Sequence, residues 1–156
     1  MTLTTHSLAG AVIGKYVKNP WAVIVLAVIL HFILDTFRHG EYVESFDKSV
    51  TVKNSAGKVI LDFCIGSLIV AAYIFISRPD LIQARNMIIG ASFSMIPDLI
   101  TAVYWKFRFK ILDKYYHFHS KFLHKLPRGS KEREWNLRNA TNDIIISAIA
   151  IILLFI

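Results

Sequence analysis

The residues in this chain best suited to chemistry are a histidine and an aspartate at the end of a strongly apolar stretch. Residues 21–30 are all apolar, and His31 and Asp35 follow them directly. On an α-helix, positions i and i+4 project from the same face, so this imidazole and this carboxylate would lie one turn apart. If the helix continues, His39 lies on that face too. Such residues form half of a metal site, or else a pair that only satisfies its own hydrogen bonds inside a bundle.

Other histidines and aspartates lie near the ends of further apolar segments. His6 opens the first segment, Asp62 opens the third, and Asp98 follows Pro97 late in the fourth. A carboxylate placed in hydrocarbon costs at least about 2.5 kcal/mol on insertion scales, so such residues are functional candidates. Asp62, like Asp143, has an alternative role at a helix start, where it would favour the helix dipole. The remaining candidates follow the second or fourth segment: His39 and Glu41 as ligand or general base, and His117, His119 and His124 as ligands.

The composition is typical of a membrane protein rather than of a soluble domain. Hydrophobic residues make up 54% of the 156 residues and charged residues 19%, and the mean hydropathy is +0.48. Soluble domains are about 45–50% apolar and about 25% charged, and here the apolar excess is concentrated in blocks. The single cysteine, Cys64, excludes an internal disulfide. The N-terminal stretch lacks the basic region and cleavage site of a signal peptide, so we expect none.

Hydropathy predicts an all-α fold, an integral membrane bundle of four or five helices that forms one domain over residues 1–156. The first segment is shorter than the about 20 residues that span a bilayer, so it is expected to be tilted and buried, or re-entrant. Pro97 should kink the fourth helix. A small hairpin is predicted at 49–52, and a short amphipathic helix in the basic loop at 106–138, before Pro127. The five apolar helices are expected at about 3–17, 20–38, 59–77, 81–105 and 139–156.

The distribution of lysine and arginine predicts which side of the membrane the helix ends share. If all five segments cross, the 10 basic residues of 106–138 lie on the same side as the four at 38–58. The positive-inside rule places that side in the cytoplasm, and the candidate ligands fall near the same face. The 106–138 loop is expected to contact anionic lipid headgroups rather than nucleic acid. The other side holds only Lys15, Lys18, Arg78 and Arg85.

Several sequence blocks resemble one known family. They are T-H-S-L-A-G-A-V-I-G at 5–14, N-P-W at 19–21, H-F-I-L-D-T-F-R-H-G-E-Y at 31–42, D-F-C-I-G at 62–66 and I-P-D-L at 96–99. They are similar to the small predicted membrane-bound metal-dependent hydrolases, a group related to inner-membrane hydrolases described as LexA-binding and distantly similar to zinc-dependent phospholipase C. The H-R-G-x-T-H-S stretch of larger members has its nearest counterpart here in residues 117–120. The resemblance implies metal ligation by His6, His31, Asp35, Asp98 and His119, with His39 and Asp62 as further candidates.

Together the residues and the resemblance predict a metal-dependent hydrolase of the inner membrane, with its site facing the cytoplasm and a phosphoester or lipid-like substrate. Several His and Asp donors suit a borderline or hard divalent ion, zinc before manganese. Glu41 or His39 would accept the proton. Two other classes stay open. A metal-binding or ion-translocating protein would need a polar path toward Lys15, and an adaptor would dock lipid or a partner through the basic loop.

Overall fold

The computed structural model is all-α over the residues that it describes, which are 1–40, 52–119 and 135–156. This confirms the all-α part of the predicted fold class. A 3-10 turn at Lys110–Leu112 precedes the short fifth helix, which lies in the predicted basic loop. Of the predicted hairpin, residues 49–51 lie outside the described residues and Val52 begins a helix. The helices are α1 (Leu3–Tyr16), α2 (Pro20–Asp35), α3 (Val52–Ser77), α4 (Leu81–Phe107), α5 (Asp113–His117) and α6 (Leu137–Phe155).

The short helix α1 is the central element, and α2, α3, α4 and α6 all pack against it. Its 14 residues give a length of about 21 Å, and Thr5 through Ala11 are buried. α1 and α4 meet at Gly10 and Gly90, where a β-carbon on either residue would collide with the backbone carbonyl of the other. Small residues let helix backbones approach this closely, so the glycines of α1 place it inside the bundle. A buried first helix is one of the two arrangements that its length predicted.

The N-terminus of α1 is capped by carboxylates from two other helices. Asp62 of α3 accepts hydrogen bonds from the amides of Leu3, at 2.7 Å, and Thr4, at 3.1 Å. Asp143 of α6 accepts one from the amide of Thr2 at 2.8 Å. The first amides of a helix have no partner within the helix, and negative charge there is favourable. These two aspartates therefore fix the end of α1 from which His6 projects.

The turn between α1 and α2 is held from α4. The side-chain amide of Asn86 donates to the carbonyls of Val17, at 2.9 Å, and Lys18, at 2.8 Å, and so satisfies backbone groups that follow α1. α2 then begins with Asn19 as its N-cap and Pro20 in its first turn. α1 and α2 are therefore antiparallel, which brings the start of α1 to the end of α2.

Polarity is inverted relative to a soluble protein. Large apolar side chains are exposed along α2, α3, α4 and α6, such as Val25, Leu68, Ile88 and Ile149. The interior holds many polar side chains, among them Thr5, Ser7, Asn86, Ser94, Thr101 and Asn139. Three helices are long and apolar enough to cross a membrane, Gly57–Ser77, Leu81–Tyr104 and Leu137–Phe155, whereas the apolar α2 is shorter. The sequence predicted a membrane bundle of four or five helices, and three of the six described α-helices have the length and composition to cross.

Candidate metal centre

Five of the predicted ligands meet at one end of the bundle. His6 comes from the start of α1, His31 and Asp35 from the end of α2, Asp98 from α4, and His119 from just beyond α5. One donor atom from each of the first four lies within 4.8 Å of the others. The side chains of the three histidines and Asp35 are 0% exposed, whereas that of Asp98 is 22% exposed. The cluster is therefore buried and reaches the surface at Asp98.

The carboxylate of Asp35 lies at the centre of this cluster. Its Oδ1 is 3.1 Å from Nε2 of His6 and forms a buried salt bridge with the N-terminal ammonium of Met1 at 2.8 Å. Its Oδ2 is 3.1 Å from Nε2 of His119 and 3.3 Å from Nε2 of His31. Each oxygen of one carboxylate thus faces a different group of nitrogen atoms.

Contacts on the far side of two imidazole rings determine which nitrogen carries the proton. Nδ1 of His31 donates to the carbonyl of Ser94 at 2.8 Å, and a carbonyl can only accept. Nδ1 of His119 lies 2.9 Å from Oγ1 of Thr101, whose own hydroxyl proton goes to the carbonyl of Pro97 at 3.0 Å. That hydroxyl oxygen therefore accepts from the ring. In the neutral imidazole, a proton on Nδ1 leaves a lone pair on Nε2, which is how protein side chains orient metal-binding histidines.

With both rings in the neutral form, three donor atoms face one point. Nε2 of His31, Nε2 of His119 and Oδ2 of Asp35 are separated by 3.1, 3.1 and 3.3 Å. Ligands bound at 2.0–2.1 Å to one zinc ion lie about 2.9–3.4 Å apart at angles between about 90° and 109°. A proton on one ring would form a hydrogen bond with mainly one acceptor, whereas an ion at the common centre would bind all three atoms. The donor set therefore fits a divalent metal ion.

Asp62, predicted as a metal ligand, lies outside this group of donors. Both of its oxygens accept hydrogen bonds from backbone amides of α1, and Oδ1 also accepts from the hydroxyl of Thr4 at 2.6 Å. Among the described residues, Asp143 accepts through Oδ1 alone, from the amide of Thr2 and the hydroxyl of Thr5. It agrees with its expected role at a helix start only in part, because it caps α1 rather than its own helix. Both residues support the cluster from behind, by fixing the helix that carries His6.

The other predicted residues fall in three places. His39 is buried and its Nδ1 donates to the carbonyl of Phe37 at 2.8 Å. His117 is half exposed and lies 3.6 Å from Asp113, away from the buried donors. Glu41 and His124 lie outside the described residues. The structure describes two of the three late histidines that the sequence left open, His117 and His119. Of these two, His119 lies in the cluster.

The sequence did not identify the two residues that orient the histidine rings. The carbonyl of Ser94 and the hydroxyl of Thr101 flank Asp98 on α4. Ser94, Asp98 and Thr101 follow the i, i+4, i+7 spacing of one helix face. That spacing was available in the sequence. It had not been connected to the histidines because their helices are distant along the chain.

The interior changes from polar to apolar between this cluster and the Lys15 end of the bundle. Leu8 and Ala11 of α1 pack there with Met87 and Ala91 of α4, within a core that also includes Val70, Tyr73, Ala150 and Leu154. Among the described residues, this core closes the cluster on its inner side. The accessible side is the one on which Asp98 is exposed.

Comparison of the chain with protein-family models, with curated proteins and with solved structures finds no match in any of the three.

Proposed function

We propose that this protein is a membrane-embedded, metal-dependent hydrolase that acts on a phosphoester or lipid-like substrate, with its site at the cytoplasmic face of the inner membrane. The observation that carries the proposal is the convergence of two imidazole Nε2 atoms and a carboxylate oxygen on one buried point, at separations of 3.1, 3.1 and 3.3 Å. Zinc suits two nitrogens and one oxygen, and manganese is the second choice. A catalytic site keeps coordination positions open, and the exposed edge at Asp98 supplies the route to them.

His31, His119 and Asp35 would hold the ion. When bound, it would supply Lewis acidity and make water nucleophilic near neutral pH. Ser94 and Thr101 orient the two rings through their Nδ1 protons, so that Nε2 is presented in each case. Asp98 lies beside the donors on the exposed side, where its carboxylate can orient an incoming group.

The proton acceptor is proposed to be His39 or Glu41. The hydrogen bond from Nδ1 of His39 to Phe37 puts the ring proton on that nitrogen, so Nε2 is the basic one. A general base must also lie within hydrogen-bond reach of the proton that it takes. His39 follows α2 four residues after Asp35, at the same end of the bundle as the donors. Glu41 lies outside the described residues and stays a candidate for the proton acceptor because it follows the end of α2 in the sequence.

The exposed surface supports a location in the membrane. Large apolar side chains are exposed on several helices. Their exposure to water would be unfavourable, whereas their exposure to lipid has no such cost. The segment 107–118 continues this surface with exposed Phe107, Phe109 and Ile111, interspersed with Arg108, Lys110 and Lys114. Aromatic and basic residues in alternation suit an interface with anionic headgroups. Because His119 directly follows, a lipid-like substrate would meet the site at this interface.

The two alternative functions have less support. An ion-translocating protein needs polar groups from the cluster to the Lys15 end, and the described interior there is the apolar core around Leu8 and Met87. An adaptor would use the basic loop alone. It gives no reason for Nε2 of His119 and Nε2 of His31 to converge on one carboxylate oxygen, at 3.1 and 3.3 Å.

The test is metal content and hydrolysis measured on the same detergent-purified samples. We expect wild type to hold zinc or manganese by ICP-MS and Asp35→Asn to lose it, because the amide that replaces the carboxylate is a much weaker ligand. The matched control is Asp80→Asn, which changes an exposed carboxylate that caps α4 and should keep the metal. Wild type should also cleave a chromogenic phosphodiester or phospholipid in mixed micelles, and chelation should abolish this. Absence of metal after reloading would refute the proposal, and metal without any hydrolysis would favour a non-enzymatic metal protein.

A further inference from the structure

His119 reaches the candidate metal centre from outside the long apolar helices. The other donors of the centre lie on α1, α2 and α4, whereas His119 lies in a π-helical turn that continues α5. α5 follows the apolar span Leu81–Tyr104 in the chain and packs against α4. The position of α5 on α4 therefore determines whether His119 faces the other donors.

Tyr115 of α5 connects His119 to α4. Its hydroxyl donates to the carbonyl of Pro97 at 3.0 Å, and its ring stacks on the His119 ring, with centroids 5.9 Å apart and planes inclined by 10°. The carbonyl of Pro97 also accepts from the hydroxyl of Thr101, whose oxygen lies 2.9 Å from Nδ1 of His119. Two residues that share one acceptor on α4 thus contact His119, one at its edge and one at its face.

The outward face of the same segment is apolar and basic. Its exposed apolar and basic side chains are Arg108, Phe109, Lys110, Ile111, Lys114 and Phe118. Ile111, Lys114 and Phe118 follow the i, i+3, i+7 spacing of one helix face. A short segment of this kind lies in the plane of the bilayer surface, with its apolar side chains among acyl chains and its cations at anionic headgroups. Contacts with the last turns of a spanning helix place α5 at that depth.

We propose that α5 is a sensor of anionic lipid, in which binding of its outward face to the bilayer surface holds Tyr115, and through it His119, in the metal centre. This inference rests on the proposed function and adds a regulation of the same site. Each basic residue near an anionic surface favours binding by about fivefold, so Arg108, Lys110 and Lys114 together contribute about 100-fold. An effect of that size changes a minor docked state of α5 into the major one.

The first test uses wild type and compares two lipid compositions. Nanodiscs contain either phosphatidylcholine alone or equal parts of phosphatidylcholine and phosphatidylglycerol, and the zinc Kd is measured by competition with a chelating indicator. We expect the Kd to be lower in the anionic nanodiscs by about fivefold or more. Equal values would overturn the lipid regulation and leave the proposed function in place. Absence of zinc in both would overturn the regulation together with the proposed function.

Zinc is itself attracted to an anionic surface, and a double variant separates this effect from the proposed one. Lys110→Gln with Lys114→Gln removes two positive charges near the site, so the attraction of zinc alone predicts a lower Kd. We expect a higher Kd in anionic nanodiscs, by about fivefold or more, because α5 binds the surface less strongly. Lys18→Gln with Arg78→Gln removes the same charge at the other end of the bundle and should leave the Kd unchanged. A Kd at or below the wild-type value in the first double variant would overturn the proposal.

Tyr115→Leu tests the connection between α5 and the metal centre, because it removes the hydroxyl and the stacked ring. We expect its zinc Kd in anionic nanodiscs to rise about 10-fold and to lose its dependence on lipid composition. Tyr116→Leu is the matched control. The Tyr116 ring stacks on that of Tyr104, with centroids 4.4 Å apart, so this variant should keep the lipid dependence. Retention of the lipid dependence by Tyr115→Leu, or its loss from both variants, would overturn the role of Tyr115.

A spin label reports the position of α5 without any metal. The label is attached at Ile111→Cys, where the native side chain is 89% exposed, in a Cys64→Ser background. We expect anionic nanodiscs to protect it from a water-soluble relaxation agent and phosphatidylcholine nanodiscs to leave it accessible. Tyr115→Leu should show the same protection, because its outward face is unchanged. Equal accessibility in the two compositions would overturn the lipid sensor, whatever the metal content.

Discussion

Replacing Thr101 by valine tests whether the orientation of His119 determines metal affinity. Oγ1 of Thr101 accepts the Nδ1 proton of His119 at 2.9 Å, and the residue is buried. Valine has nearly the same shape as threonine but no oxygen. The Nδ1 proton of His119 then loses its acceptor, and the ring is stabilised with its proton on Nε2 instead, where it can donate to Oδ2 of Asp35 at the present 3.1 Å. That tautomer cannot bind a metal through Nε2.

The magnitude follows from the cost of the lost hydrogen bond. A buried donor without a partner costs about 1–3 kcal/mol, and a tenfold change in affinity corresponds to about 1.4 kcal/mol. We therefore expect the metal Kd of Thr101→Val to rise about 10–100-fold, the range found when residues that orient metal-binding histidines are removed. Thr101→Ser keeps the oxygen and should restore most of the affinity.

The assay is competition for zinc between detergent-purified protein and a chelating indicator of known affinity. Thr141→Val is the matched control. The hydroxyl of Thr141 also donates to the carbonyl of the residue four positions earlier, Leu137, at 2.8 Å, but Thr141 is exposed on α6 and far from the cluster in sequence. It should leave the Kd unchanged. Equal affinities for wild type and Thr101→Val would refute the assignment of the tautomer, and with it the argument that lone pairs of both rings face Asp35.

Two further predictions concern the scaffold, and both are measured by thermal unfolding in detergent. Asp62→Asn should destabilise the protein by about 1–3 kcal/mol, because an amide cannot accept from the Leu3 and Thr4 amides through both of its terminal atoms. Asp80→Asn is its control and should be nearly neutral, since asparagine is an equally good N-cap; equal losses in the two variants would contradict the capping role. Gly10→Ala should cost about 1–3 kcal/mol by overpacking, because the new β-carbon meets the carbonyl of Gly90. Gly57→Ala, with open space at its β-carbon, should be neutral or stabilising, and an unchanged melting temperature for Gly10→Ala would show that the two helices can separate without penalty.

The collection of His6, His31, Asp35, Asp98 and His119 at one end could be predicted from the sequence. Each of these residues lies at or near the end of an apolar segment or just beyond it. Helices that are joined by short turns alternate in direction, so every second helix end returns to the same side. The structure brings one donor atom of four of these residues within 4.8 Å, and His119 lies 3.1 Å from two of the four. The pattern of helix ends predicted that these residues share one end of the bundle, whereas the choice of these five among the candidates there was implied only by the resemblance.

The roles of Asp62 and Asp143 could not be predicted in the same way. Both lie near the same bundle end as the ligands, and nothing in their own helices distinguishes them from ligands. What distinguishes them is the position of α1, whose first amides reach Asp62 across 59 residues of sequence and Asp143 across 141. Hydropathy also left open whether α1 was buried or re-entrant, because a short apolar helix fits both. The packing of Gly10 against Gly90 determines its position, and that contact is not visible in periodicity.

The contacts that orient the site also hold the helices together. Oγ of Ser94 on α4 donates to the carbonyl of His6 on α1 at 2.6 Å, while the carbonyl of the same residue accepts from His31 on α2 at 2.8 Å. A single residue thus fixes two ligand-bearing helices against the one that carries Asp98. In lipid, the apolar surfaces of helices gain little by association, so small residues and buried polar contacts provide much of the packing. The same polar groups can therefore serve both the fold and the proposed metal centre.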